Sequence, residues 1–135
     1  AEDPGEAALD EFRDLIDAAF GEDSIEGILD HLDAIDHEWA GKTLSKLKKM
    51  SPISMKVILE QITRGVELDF NDAMKMEYRI VSHIVSYQSD FYEGVRAVLI
   101  DKDQNPTWNP ATVDDVTDAM VAAHFEDLGD KELDL

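Results

Sequence analysis

The chain has 135 residues, 31 Asp+Glu against 12 Lys+Arg for a formal net charge of -19, and no cysteine. That length suits one domain with a real core, and 44% hydrophobic residues exclude disorder along the whole chain. A surface this negative repels phosphate backbones and anionic lipid, so no nucleic acid and no membrane is expected as a partner; the missing cysteines exclude a disulfide framework, a thiolate nucleophile and a cysteine zinc site.

The apolar pattern is helical almost throughout. Leu9, Phe12, Leu15, Ile16, Ala19 and Phe20 predict a helix from about Glu6 to Phe20, closed by Gly21. Asp23 or Ser24 caps a second helix with Ile25, Ile28, Leu29 and Leu32 as its buried stripe. A third runs from about His37 to Met50, with Trp39, Leu44 and Leu47 inward and the lysines outward. Ser51 suits an N-cap and Pro52 the first helical position, where no amide partner is needed. The helix they open carries Met55, Ile58, Leu59 and Ile62 and stops at Gly65. Asp69 to Asp72 opens the longest helix, to about Tyr87, with Ala73, Met76, Ile80, His83, Ile84 and Tyr87 on one face.

Ser89 to Glu93 reads as a capping box, Asp90 accepting from the Glu93 amide and Glu93 reaching back to the Asp90 amide. The short helix after it holds Val95, Val98 and Leu99. Residues 101–111 form a proline-containing loop without periodicity. A last helix is expected from Thr112 to about Phe125, with Val113, Val116, Met120 and Ala123 on one side, and a frayed tail from Leu128. The expected fold class is all-α, with six or seven short helices and no internal repeat. No apolar run approaches the roughly 18 residues that span a bilayer. No targeting segment opens the chain; it begins Ala1-Glu2-Asp3-Pro4 without Met, as a processed or excised piece would.

Few clusters suggest chemistry. Asp101, Asp103 and Asn105 copy the first, third and fifth positions of an EF-hand loop, but Pro106 replaces its glycine and Thr112 its bidentate glutamate. No calcium site is expected there. His31 and His37, near Asp30, Asp33 and Asp36, lie across a helix break and read as a solvated acidic end, so no metal site is expected. His83 falls on an apolar face and His124 stands alone. The Lys42, Lys46, Lys48 and Lys49 cluster reads as a solvated face, with phosphate contact as the alternative. Trp108 is expected to anchor its loop. No nucleophile, base and oxyanion hole assemble, so no catalytic residue is assigned. From the residues alone the reading ends at an acidic helical domain or fragment.

Three blocks carry a resemblance: Met50 to Lys56, Glu77 to Arg79, and the run from Asp90 to Trp108. In order and spacing they resemble the C-terminal region of 3-hydroxyisobutyryl-CoA hydrolases, in the crotonase (enoyl-CoA hydratase/isomerase) superfamily. Outside the blocks the likeness extends more weakly back to about Phe20 and forward to Leu135, and the leading helix, residues 1–20, matches weakly. It implies the C-terminal helical part of a crotonase-type fold, without the β/α spiral that carries the family's oxyanion hole and acidic groups. It implies an acyl-CoA thioesterase of valine breakdown in mitochondria, with coenzyme A present as part of the substrate and no separate cofactor. The helices are then expected to cover the active site, pack on the spiral and join subunits into a homo-oligomer, with this chain alone inactive. In related hydratases the motif resembling Arg96 to Lys102 places an apolar side chain and a lysine near the CoA nucleotide. The matching positions are Leu99 and Lys102, although this chain has one residue more between Ala97 and the lysine. Alternatives are an inactive hydrolase-like structural protein of the mitochondrial ribosome and a stand-alone acidic interaction module.

Overall fold

In a computed structural model the structure describes residues 9–85 and 89–135, and every described element is helical. The chain forms two compact units, 1–50 and 51–135.

In the first unit a 3-10 turn, Asp10–Phe12, leads into α1 (Arg13–Phe20). The expected start near Glu6 lies outside the described residues. The Ser24 hydroxyl accepts the Gly27 amide at 3.1 Å and starts α2 (Ile25–Ala34). His37 caps α3 (Glu38–Leu47) through its ring nitrogen, which accepts the Trp39 amide at 3.1 Å. α2 packs on α1 and α3, burying Ala19, Ile25, Ile28, Leu32, Ala40 and Leu44. Trp39 stacks on Phe12 with ring centroids 5.7 Å apart and takes Phe20 edge-on at 6.5 Å. Ala19, Ile25, Ile28, Leu32 and Leu44 are buried on their expected stripes, whereas Ala40, fully buried, was not among the expected positions and Phe20, expected inward, is 41% exposed.

In the second unit α4 (Pro52–Gly65) begins where the sequence places it: the Ser51 hydroxyl accepts the Ser54 amide at 3.2 Å and Pro52 occupies the first turn. Its inward face differs from expectation. Val57, flanked by Ile53, enters the core, while Ile58 is 53% and Ile62 63% exposed. α4 carries apolar residues on two arcs, and the arc met by α5 and α7 decides which is buried. Asp69 caps α5 (Phe70–Ile84) by accepting the Asp72 amide at 2.9 Å. Met76 and Ile80 are buried as expected; Tyr87 lies outside the described residues.

α6 (Asp90–Val95) runs straight into a π-helical turn, Arg96–Ile100, in which the Asp101 amide donates to the Arg96 carbonyl at 2.8 Å. The expected capping box is absent. Ser89 is the N-cap without a side-chain bond to its own helix, its hydroxyl donating instead to the Ile84 carbonyl, and both acidic side chains are committed to the loop beyond the helix. A π turn holds one more residue than an α turn, and this one ends two residues before Lys102.

The last helix also starts later than expected. Residues 112–116 turn back on themselves, the Thr117 hydroxyl accepts the Met120 amide at 3.3 Å, and α7 (Asp118–Ala122) follows with a 3-10 turn, Ala123–Phe125. Thr112, read as the first residue of this helix, spends its hydroxyl on Asp115 at 2.7 Å instead. The cap at Thr117 rotates the inward face, so Val121 and Phe125 are buried and Met120 is 44% exposed. Val57, Met76, Ile80, Val116, Val121 and Phe125 form the core, with Ile53 and Ile84 packed against it. Arg64 lies 4.2 Å over the Phe125 ring, and the Lys56 ammonium donates to the Val116 carbonyl at 3.1 Å.

The tail is not frayed. Arg79 reaches Glu132 at 3.0 Å and Asp127 at 3.2 Å, and Glu132 also accepts the Leu128 amide at 3.1 Å. Those contacts, the Leu128 amide first and Arg79 after it, hold the Glu132 carboxyl below its ordinary range.

Candidate functional site

The 101–111 loop is organised by one cation. The Arg96 guanidinium donates to both Glu93 carboxylate oxygens at 2.8 Å, to Asp101 and Asp103 at 2.7 Å each, and to the Asn105 carbonyl at 3.2 Å. Three carboxylates around one planar fork is the arrangement guanidinium chemistry favours, since each N–H finds its own acceptor. Glu93 also accepts the Thr107 amide at 2.6 Å, and Asp103 the Asn105 amide at 2.9 Å. Arg96, aided by the Thr107 amide, pulls the Glu93 carboxyl from 4.5 down to about 2. Arg96 and then the Asn105 amide lower Asp103, and Glu93, then Asp103 and Asp101, raise the arginine.

This accounts for the calcium-like spacing. Asp101 and Asp103 face a guanidinium, that of Arg96, five residues upstream of Asp101. Further along, Asn109 donates its amide to Asp90 at 2.9 Å, and Asp90 also accepts the Ser51 hydroxyl at 2.5 Å. Trp108 lies over Gly94, where an added Cβ would stand 3.4 Å from the indole ring; it packs the loop onto α6 as expected. The loop thus hangs from α6 at Glu93, Gly94 and Asp90.

The structure places Leu99 in the π turn, 65% exposed, beside Ile100 at 69% and Val98 at 49%. Lys102 is exposed just beyond, with a left-handed backbone at φ 57°, and Gln104 repeats that conformation at φ 57°. Lys102 is set between two aspartates that both turn to Arg96, and among the described residues it forms no ion pair of its own.

The other singled-out residues go elsewhere. His37 is a helix cap and also meets Phe12 edge-on at 6.1 Å; His31 pairs with Glu22 at 2.9 Å. Lys42 pairs with Glu38 at 2.7 Å on a solvated face. His124 is not alone. Its ring lies 6.4 Å from that of His83, and its Nδ1 is 2.9 Å from the Met120 carbonyl. His83 Nε2 lies 3.3 Å from the Glu126 carbonyl, and the pair lines a cleft of about 360 Å³ with Ile53, Phe91 and Pro110. Among the described residues no three metal-ligating side chains converge, and no helix is long and apolar enough to cross a membrane.

The chain matches the family model for enoyl-CoA hydratase/isomerase over residues 1–125, and it belongs to that family. It is 42% identical over 130 residues to the mitochondrial 3-hydroxyisobutyryl-CoA hydrolase of Gallus gallus, an alignment that covers 96% of this chain and 34% of that protein. Against the mitochondrial 3-hydroxyisobutyryl-CoA hydrolase of Dictyostelium discoideum it is 37% identical, covering 97% of this chain and 36% of the relative. The chain therefore spans about a third of the length of the curated relatives it matches. An enoyl-CoA hydratase from Rhodobacter sphaeroides superposes with a TM-score of 0.89 at 31% identity, over 99% of this chain and 40% of that one. The all-α, crotonase-type expectation is borne out, with seven α-helices and no strand among the described residues.

Proposed function

We propose that residues 1–135 are the C-terminal helical region of a 3-hydroxyisobutyryl-CoA hydrolase-like enzyme, an acyl-CoA thioesterase of mitochondrial valine catabolism. The observation that carries this reading is the 37–42% identity to such hydrolases over almost the whole chain. Coenzyme A enters as part of the substrate, and the groups that attack the thioester belong to the β/α spiral. This region contributes cover for the active site, a CoA contact and subunit packing. Lys102 supplies an ammonium for a nucleotide phosphate, and Leu99, on the apolar shelf beside it, packs against the ligand.

Packing against further protein has its own support. Besides its buried face, α5 carries Phe70, Met74, Tyr78 and Val81 at helical spacing, with Val85 at its C-cap, all 39–76% exposed. Ile58, Ile62 and Val66 continue the apolar exposure at α4. Exposed apolar side chains at this density support packing against further protein. We assign this surface to the spiral of the same protein and to a second copy in a homo-oligomer.

The test replaces the matching stretch of the Gallus gallus hydrolase with this chain and follows thiol release from 3-hydroxyisobutyryl-CoA. The chimera is expected to turn over and the isolated chain to release no CoA above background. A folded chimera without activity refutes the reading, as does turnover that tracks with the isolated chain. Sedimentation of the chain over a range of concentrations is expected to show association that strengthens with salt, because screening relieves the -19 charge.

A further inference from the structure

We infer that Arg96 is a positioning residue for Lys102: its guanidinium gathers Glu93, Asp101, Asp103 and the Asn105 carbonyl, and so holds the turn that presents the lysine. The inference concerns how the turn is held; its link to ligand contact rests on the CoA reading above.

Left-handed conformations are costly for residues with a Cβ. Two of them, Lys102 and Gln104, stand within three residues, and neither is glycine or asparagine. Such a turn persists only where its surroundings over-determine it. The side-chain bonds that reach residues 101–107 from the helix come from Arg96 or from its partner Glu93. Asp101 and Asp103 bracket Lys102 and bind the guanidinium; the Asn105 carbonyl and the Thr107 amide, tied through Glu93, close the far side. The Asp101 amide on the Arg96 carbonyl and the Gln104 amide on the Ala97 carbonyl fasten the same turn to the π turn below it.

Electrostatics point the same way. An ammonium between two free aspartates would pair with one of them and offer little to an anion. Arg96 occupies both, at 2.7 Å each, with the fork geometry an ammonium lacks. Lys102 is left as an exposed cation beside the apolar Val98, Leu99 and Ile100. That juxtaposition fits a ligand with a phosphate next to an apolar or aromatic body.

Hydrogen exchange and calorimetry with coenzyme A on the 135-residue chain test this. In Arg96→Gln the Gln104 and Thr107 amides are expected to exchange at least tenfold faster, with the Val57 and Ile80 amides unchanged. Asp101→Asn/Asp103→Asn, which leaves Arg96 in place, should speed the same amides, and Arg96→Lys should not restore them. For CoA, Arg96→Gln and Lys102→Gln should each weaken binding about tenfold, and the double variant no further than Lys102→Gln, because one acts through the other. Unchanged exchange in both clamp variants overturns the inference, and so do CoA losses that multiply. If the chain binds no CoA, or Lys102→Gln binds it as tightly as the parent, the CoA contact fails and the exchange rates alone decide the clamp.

Discussion

The α4–α5–α7 core and the α6–loop segment from Asp90 to Pro110 belong to the same unit and are held by different physics. The core closes on Val57, Met76, Ile80, Val116, Val121 and Phe125, all at most 8% exposed. The α6 segment buries little beyond Ala97 and is held by one guanidinium, the four carboxylates of Asp90, Glu93, Asp101 and Asp103, and a few backbone amides. Apolar burial is indifferent to pH and pays in cavities when a side chain is trimmed. The ionic segment has almost no volume to lose and depends on protonation state. Truncation should therefore damage the first region and acid the second.

The largest expected effect is in the core. Phe125→Ala removes a ring that is 7% exposed and carries Arg64 at 4.2 Å on its face. Its cost is expected at about 3–5 kcal/mol, read as a fall in the urea midpoint. A loss below about 1 kcal/mol would mean that the site collapses around the gap and that the core is less closely packed than its burial implies.

Ser51 joins the two regions. Its hydroxyl caps α4 and donates to Asp90 at 2.5 Å, and Asp90 in turn holds the Asn109 amide. Ser51→Ala removes a cap, about 1 kcal/mol, and a bond to a charged acceptor, roughly 1.5–3 kcal/mol. A total of about 2.5–4 kcal/mol is expected, with the Asn109 amide exchanging faster. Loss of stability without any change at Asn109 would separate the cap from the loop.

Acid sharpens the comparison. Glu93 is lowered from 4.5 to about 2 by Arg96 and the Thr107 amide, and Asp103 is lowered by Arg96 and the Asn105 amide. A depressed carboxyl contributes stability in full above its unfolded value and loses it as pH falls through the folded one. The loop is thus expected to be intact above about pH 4.5 and to loosen progressively toward about pH 2. The Thr107 amide resonance should follow that fall while the Ile80 amide does not move with it. In Glu93→Gln the Thr107 response should already be present at neutral pH.

The same contrast explains what the sequence disclosed. Elements begun by local chemistry were legible: Ser24, Ser51 and Asp69 each cap the helix they announce. The α2 stripe was legible because α2 has one apolar face. α4 misled because it has two, and only the arrival of α5 and α7 chooses Val57 over Ile58. The capping box failed because Glu93 and Asp90 had stronger competitors, Arg96 and the Asn109 amide, which local spacing does not show. At the candidate site the positions Leu99 and Lys102 came from resemblance. What holds their turn is a charge network built from residues up to 14 apart, between Glu93 and Thr107, which no periodicity reports.

The smallest effect expected is at two glycines, and it distinguishes space from backbone. Gly94 is helical in α6, and an added Cβ would stand 3.4 Å from the Trp108 ring, an ordinary contact distance. Gly94→Ala relieves the entropy cost of a helical glycine, roughly 0.5–1 kcal/mol, and adds a methyl to the contact that seats the loop. It is expected to be neutral or slightly stabilising. Gly129 meets nothing within 4 Å yet sits at φ 60°, so Gly129→Ala should cost about 1 kcal/mol with no clash at all. Melting curves of the two variants decide this. If Gly94→Ala is the more damaging, Trp108 has no room to yield and the ionic segment is packed as tightly as the core. If it is neutral, the indole is a soft anchor, and the hold on the loop lies with Arg96 and its carboxylates.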